Sequence, residues 1–338
     1  MRLFLTLLLS LILSLITLNI QAQLFPQLGG QRAGISALTF LKMDVSPRSA
    51  GLAGANICLT GDAYATFTNP ATLSEVENFT LAGANTFWVA DINYAYLTAV
   101  KPTTAGHFAL SISSLNSGPM EVRTTFQPDG TGQYFYANYY TVGLSYGKKL
   151  TDQFSWGATA KYVHEQLAEF TAQTAVVDLG FLYRTDFKDL RFAVMLQSFG
   201  TNSTLKGTVK LDTTFNRKPL SLEAYPAPTI FKLGISIVPW KSEDEQQSLT
   251  TSLQLNHPND NAENIRFGLE YNYKDLLFVR TGYKINVSDQ NFPTAGVGIR
   301  TRLGRHPLVF DYALDVMRYL GSVHRVGLSF SVNPVEDR

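Results

Sequence analysis

From residue 79 almost to the end of the chain, apolar and polar side chains alternate in long runs. Phe267, Leu269, Tyr271 and Tyr273 alternate with Arg266, Gly268, Glu270 and Asn272; a step later, Leu277, Val279, Tyr283 and Ile285 share one phase, and Arg280, Gly282 and Lys284 the other. Tyr140, Val142, Leu144 and Tyr146 against Thr141, Gly143, Ser145 and Gly147 repeat the pattern. A period of two with one apolar phase predicts strands with one apolar face. A soluble sandwich alternates in the same way, so alternation alone does not choose between water and lipid.

Strand length does choose. The pattern predicts fourteen strands, at 79–88, 91–101, 106–115, 136–148, 153–165, 172–184, 190–198, 229–238, 247–257, 263–273, 275–285, 294–302, 308–314 and 322–332. Most exceed the ~5–6 residues of a globular strand and match the ~9–11 that a tilted strand needs to cross a bilayer. The count is even, as in bacterial outer-membrane barrels. None of the prolines falls within these boundaries, as an unbroken ladder requires. Counted from the first hairpin, the odd connections are far longer in total than the even ones and include 116–135 and 199–228, whereas 149–152 and the single residue Lys274 are even. Long loops at one end and short turns at the other are the habit of outer-membrane barrels.

The start of the chain fits export. Arg2 is followed by a Leu-rich apolar run, Leu3–Ile20, with the small Ala22 beyond it, so residues 1–22 read as a signal peptide. No later apolar run is long enough for a membrane helix. Charged residues are only 16% of the chain, and 28 Lys+Arg face 27 Asp+Glu. That balance offers no basic excess for nucleic acid, and the single cysteine, Cys58, excludes a disulfide framework. No cofactor is implied.

Glycines recur on the polar phase: Gly143, Gly157, Gly180, Gly234, Gly268, Gly282, Gly296, Gly298 and Gly327. They mark either barrel curvature or a lumen kept clear for another backbone. Fourteen strands enclose more space than side chains fill, since ~8 suffice for a filled interior. Residues 23–77, rich in small side chains and without sustained alternation, are the expected hatch; 78–332 are the barrel and 333–338 a short tail. Trp88, Trp156 and Trp240, with the cluster Tyr134, Phe135, Tyr136, Tyr139 and Tyr140, fall near strand ends, where interfacial girdles are expected.

The inward phase carries Lys161, Arg184, Lys232, Arg266, Arg280, Lys284, Arg300, Arg302 and Arg325, with Asp178 and Glu270 as its acids. These bases are expected to pair with hatch carboxylates such as Asp44, Asp62, Glu75 and Glu77; left unpaired, they would make the lumen attract anions. Gly143-Leu144-Ser145-Tyr146-Gly147 matches a nucleophile motif, but an alternating strand lacks the strand-to-helix elbow that exposes such a serine. The five histidines never fall at the helical spacing of a zinc protease. No enzyme is expected.

Several blocks carry a resemblance. Thr39-Phe40-Leu41, Ser46-Pro47-Arg48-Ser49-Ala50-Gly51-Leu52-Ala53-Gly54-Ala55, Asp62-Ala63 and Asn69-Pro70-Ala71 resemble the N-terminal signature of the PorV/PorQ family. Trp88–Ile92, Asp178–Gly180, Phe267–Tyr271, Asp311-Tyr312 and Leu320–Val326 resemble strands of that family. The resemblance implies a FadL-like barrel of fourteen strands with an N-terminal hatch, in which Pro47, Arg48, Gly51, Gly54, Asp62, Asn69 and Pro70 form the hatch motif. It further implies a non-catalytic role in the outer membrane of Bacteroidota, within type IX secretion. The implied partners are the translocon barrel, the attachment complex and cargo with C-terminal sorting domains, besides outer-membrane lipid. The same barrel and hatch suit the alternative of a transporter for hydrophobic small molecules.

Overall fold

A computed structural model describes residues 34–207, 222–288, 290 and 292–332. The expected signal peptide, the first part of 23–77 and the tail 333–338 lie outside the described residues.

Fourteen antiparallel strands form one closed ring. They are β1 (Phe79–Phe87), β2 (Asn93–Thr103), β3 (Gly106–Asn116), β4 (Ala137–Lys149), β5 (Phe154–Leu167), β6 (Phe170–Arg184) and β7 (Arg191–Gly200). They continue as β8 (Ile230–Lys241), β9 (Gln247–Pro258), β10 (Asn264–Tyr273), β11 (Leu277–Ile285), β12 (Thr294–Leu303), β13 (His306–Met317) and β14 (Gly321–Val332). Each strand pairs with its sequence neighbours. The ring closes between β1 and β14, in register from Phe79↔Val332 to Phe87↔His324. Closure leaves no open edge, the condition for a sheet to stand in lipid.

Apolar residues meet across the exposed face, as in Leu97↔Ile112, Leu110↔Leu144 and Phe310↔Leu328. Leu97 and Leu144 are each 62% exposed. Such a surface is untenable in water and is the outward apolar band of a membrane barrel. Described connections follow the expected parity, with 117–136 at one end and 104–105 and 150–153 at the other; the odd connections 168–169 and 318–320 are short exceptions.

Two expectations fail in detail. Pro102, Pro239, Pro258 and Pro307 do lie inside strands, because β2, β8, β9 and β13 run further than the alternation showed. Pro102, Pro258 and Pro307 sit at or next to strand ends, and Pro239 lies in the register break between Ile237 and Trp240. At those places the ladder does without one N–H. Trp88 is not part of an outer girdle: its ring lies beside the Arg325 guanidinium, 5.6 Å from its centre. Tyr139 likewise packs on Phe40, ring centres 4.8 Å apart. Trp156 keeps to the outer aromatic set, 5.7 Å from Tyr146.

Candidate functional site: the lumen and its inner segment

Ahead of β1 the chain makes short turns rather than strands. A 3-10 turn (Thr39–Lys42) leads to α1 (Pro47–Gly51), then α2 (Ala65–Thr68) and a second 3-10 turn (Pro70–Glu75). Each Pro in the hatch motif starts a turn by a legible rule. Ser46 caps α1 by accepting from Ser49 N at 3.3 Å, with Pro47 at the first position. Asn69 caps the second 3-10 turn by accepting from Ala71 N at 3.0 Å, with Pro70 next. Proline has no N–H to lose there, and the polar cap satisfies a free donor. The Asn69 amide also donates to Ile57 O at 2.8 Å, tying the two halves of the segment together.

This segment is buried almost without interruption. From Val45 to Leu59 every residue except Arg48 is buried, and so is every residue from Ala63 to Ser74. The burial is against the inward face of the wall. α1 packs on β11–β14 and the second 3-10 turn on β3–β6. Between them Leu52 and Ala53 lie on Gly268 and Gly282, and Ile57 lies on Gly234. Tyr64 reaches the other side of the ring, donating to Gly83 O at 2.7 Å, while Thr66 meets the Tyr96 hydroxyl at 2.7 Å.

The inward glycines make that contact possible. A methyl group at Gly157 would collide with the Pro70 backbone, and one at Gly180 with the Asn69 side chain. Gly51 and Gly296 face each other across the seam between α1 and β12 so closely that neither could carry a Cβ in ordinary contact. Of the two meanings of these glycines, close approach of the inner segment, by backbone or side chain, is the one the wall displays at most of them. Gly143 and Gly298 instead make room for wall side chains, Ser111 and Asp311.

Wall side chains also satisfy the segment's backbone. Gln254 accepts from Asn56 N and Ile57 N at 3.2 and 3.3 Å. The Thr294 hydroxyl donates to Gly51 O at 2.9 Å. Arg325 Nε donates to Asp44 O at 3.0 Å. Buried turns need such partners, because unpaired buried amides are costly.

The ionic centre runs from the segment into the wall. Arg48 donates to Glu270 through Nε at 2.8 Å and Nη2 at 2.6 Å, and to Thr60 O at 2.9 Å. Glu270 also accepts from Arg280 Nε at 2.6 Å, and Arg280 bonds Asp311 through its other arm. Burial works against the Arg48 charge, but Glu270 outweighs it and holds the guanidinium above its ordinary pKa. Asp62, beside Arg48, accepts from Tyr64 N at 2.9 Å. Burial pushes its carboxyl up to about 6 despite the attraction of Arg48.

The lumen acids differ from expectation. Asp311, Asp315 and Glu165 face inward alongside Asp178 and Glu270. Lys161 pairs with Asp178 at 2.5 Å and Lys284 with Asp315 at 2.7 Å. Of the proposed hatch carboxylates only Glu75 forms ion pairs with wall bases, Lys149 at 2.8 Å and Arg184 at 4.0 Å. Arg184 lies mainly on Asp189, 2.7 Å away. The wall neutralises itself at two ranges: Glu270 sits opposite Arg280 in the β10–β11 register, while Arg280 and Lys284 reach inside β12 to Asp311 and Asp315 on β13. Gly54 lies against the Arg266 guanidinium. Arg300 is at the short-turn mouth, over the Phe278 ring at 5.1 Å and 3.9 Å from Asp275.

Ser145 of the G-x-S-x-G stretch is 0% exposed in mid-strand and accepts from the Thr159 hydroxyl at 2.8 Å. That is a ladder position, not an exposed elbow.

A closed fourteen-stranded wall with an apolar exterior and a polar, segment-filled interior defines an integral β-barrel of the bacterial outer membrane. No known family model matches the chain, and no curated protein matches it significantly. Its fold is similar to solved structures. The Pseudomonas putida toluene transporter TodX has a TM-score of 0.57 at 12% identity, over 89% of this chain and 99% of that one. The Ralstonia pickettii toluene transporter TbuX has a TM-score of 0.53 at 13% identity, over 84% and 96%. The CymD monoaromatic hydrocarbon channel has 0.54 at 14%, over 85% and 96%. The barrel thus shares the fold of these structures, which are channels and transporters.

Proposed function

We propose that this barrel is a non-catalytic outer-membrane transporter that admits small hydrophobic molecules, with residues 37–76 acting as the hatch of its lumen. The observation that supports this reading most is the architecture itself: a closed wall of fourteen strands around a tightly fitted inner segment, in a fold like that of two toluene transporters. The test is uptake of labelled toluene by cells with and without the gene at low external concentration. Faster uptake with the intact gene is expected. Equal uptake in both strains, with the barrel present in the outer membrane, removes the reading.

A second reading is favoured by a specific observation. The residues that resemble the PorV/PorQ signature, Ser46–Ala55, Asp62-Ala63 and Asn69–Ala71, are the ones that make the segment's caps, ionic anchor and close approaches. Under this reading the barrel serves type IX secretion in Bacteroidota, with translocon barrel, attachment complex and sorting-domain cargo as partners and the loops 116–135 and 199–228 as docking loops. Normal surface delivery of such cargo in a deletion strain, with no translocon co-eluting with the tagged barrel, removes it.

A further inference from the structure

The end of the lumen beneath the long connections holds a cavity of about 270 Å³, between the inner segment and β10, β11, β13 and β14. Its lining is ionic rather than apolar. Lys42, Arg266, Lys284 and Arg325 face it, against Asp44 and Asp315. Two of these cations are neutralised in place: Lys284 by Asp315 at 2.7 Å, and Lys42 by Asp260 at 2.7 Å. The other two are not. Arg266 is held by amide oxygens, donating from Nε to Asn264 at 3.0 Å and, with the Asn256 amide in the orientation its neighbours require, from Nε at 2.7 Å and Nη2 at 3.2 Å to Asn256; it makes no ion pair among the described residues. Arg325 spends its Nε on the Asp44 carbonyl. Its Nη1 is buried without a partner, on a side chain only 3% exposed. The carboxylate of Asp44 is engaged by Ser46 N at 3.1 Å and by the Ser49 hydroxyl, so it is already occupied. The Trp88 ring lies beside the Arg325 guanidinium, 5.6 Å from ring centre to guanidinium carbon.

Burying a guanidinium with an idle donor costs free energy unless something accepts from it. Arginine's planar fork matches the two oxygens of a carboxylate or phosphate. With Lys42 paired outside the lining, three cations (Arg266, Lys284 and Arg325) face two acids (Asp44 and Asp315), and Asp315 Oδ1 is also buried without a partner. A cavity with one cation in excess, an idle guanidinium donor on Arg325 and an aromatic wall therefore has the chemistry of an oxyanion seat with room for a small ring or chain beside it. We propose that this cavity is an oxyanion-binding subsite in which Arg325 and Arg266 grip the acidic group of a small passenger and Trp88 flanks its body. The inference rests on the transport reading for the word passenger, but the binding site stands or falls by itself. It adds selectivity to the transport reading: toluene can pass but leaves the idle Arg325 donor unmatched, whereas an aromatic acid would fill it.

The test is titration of the purified, folded barrel in neutral detergent with benzoate, inorganic phosphate and toluene, followed by calorimetry. Unboiled electrophoretic mobility serves as the check of folding. Benzoate is expected to bind at least tenfold more tightly than toluene, and its affinity to fall with added salt. R325Q is expected to lose at least tenfold in benzoate affinity, R325K to lose less, and R300Q, at the opposite mouth, to be unchanged. Phosphate binding equal to that of benzoate identifies the seat as one for a free anion, and benzoate binding alone identifies it as one for a carboxylate borne on a ring. Equal affinity for benzoate and toluene, or an unchanged R325Q, overturns the proposal. Should R325Q not fold, the wild-type ratio of benzoate to toluene and its salt dependence decide. Anion binding without toluene uptake by cells removes the transport reading and leaves the subsite; uptake without anion binding does the reverse.

Discussion

The two sides of the lumen hold the same segment with different balances of contact and charge: close glycine contacts occur on both, but the buried ionic chain lies on one and only the more exposed Glu75 pairs on the other. On β3–β6, the turn Pro70–Glu75 is seated by contact: Leu73 is fully buried, and Pro70 lies flush on the bare backbone of Gly157. On β10–β14, α1 is seated by charge: Arg48 is forked onto Glu270, which is itself shared with Arg280, which in turn holds Asp311. Contact packing is unspecific in chemistry but strict in volume. A buried ionic chain tolerates small shifts but fails when one member is removed, since each charge relies on the next.

The largest effect should follow from breaking the ionic side. Glu270→Ala leaves Arg48 and Arg280 short of their shared partner, and removal of one member of a buried pair costs about 3–5 kcal/mol. The urea midpoint of the folded, fast-migrating gel species should drop accordingly, and a protease should cut the segment near Arg48 in the otherwise intact barrel. An unchanged midpoint would mean that α1 is held by packing alone.

On the contact side, Gly157→Val should push the turn at Pro70 off the wall at a cost of about 1–3 kcal/mol. Unlike the Glu270 variant, its loss should be independent of salt. Salt sensitivity of equal size in both variants would erase the distinction between the two sides.

A smaller effect belongs to Asp62, which borders the ionic side. Its carboxyl is raised by burial from near 3.8 to about 6, so the folded state binds the proton more tightly than the unfolded chain does. The sign follows from linkage: the stabilisation is complete below about pH 4 and is lost as pH rises towards 6. Asp62→Asn should flatten that part of the stability profile, and an identical slope in both proteins would exclude Asp62 as its source. Last, Cys58 lies on the β7–β8 stretch between the two sides, 2% exposed, with burial pushing its thiol up to about 12. It should resist maleimide in the folded barrel and react after boiling; rapid labelling in the native state would show that this stretch opens.

Much of this architecture was legible in the residues. All fourteen strands fall where alternation placed them, because one lipid-facing phase must stay apolar for the whole width of a bilayer. The inward glycines were legible for the same reason: a side chain missing at regular intervals on the polar phase signals something pressed against it. The ion pairs were not. Arg48 and Glu270 are 222 positions apart, and nothing local marks them as partners. Asp311 was missed as a lumen acid because β13 carries Leu308, Val309 and Phe310 in succession, which blurs its phase, and Asp315 because the expected strand stopped at 314 whereas β13 runs to Met317. Trp88 looked like an interfacial residue because strand ends are where such residues gather; only the position of Arg325 turns it inward.

Strand period, strand length and the sparse charge determined by themselves that this chain closes into a lipid-exposed barrel with a polar interior, since these are properties of single strands in a given solvent. Which buried charges neutralise one another, and which arginine is left facing a cavity with a donor to spare, was decided only in the folded molecule. The physical reason is that burial and pairing depend on distances between residues far apart in the chain, and those distances exist only once the ring has closed around its inner segment.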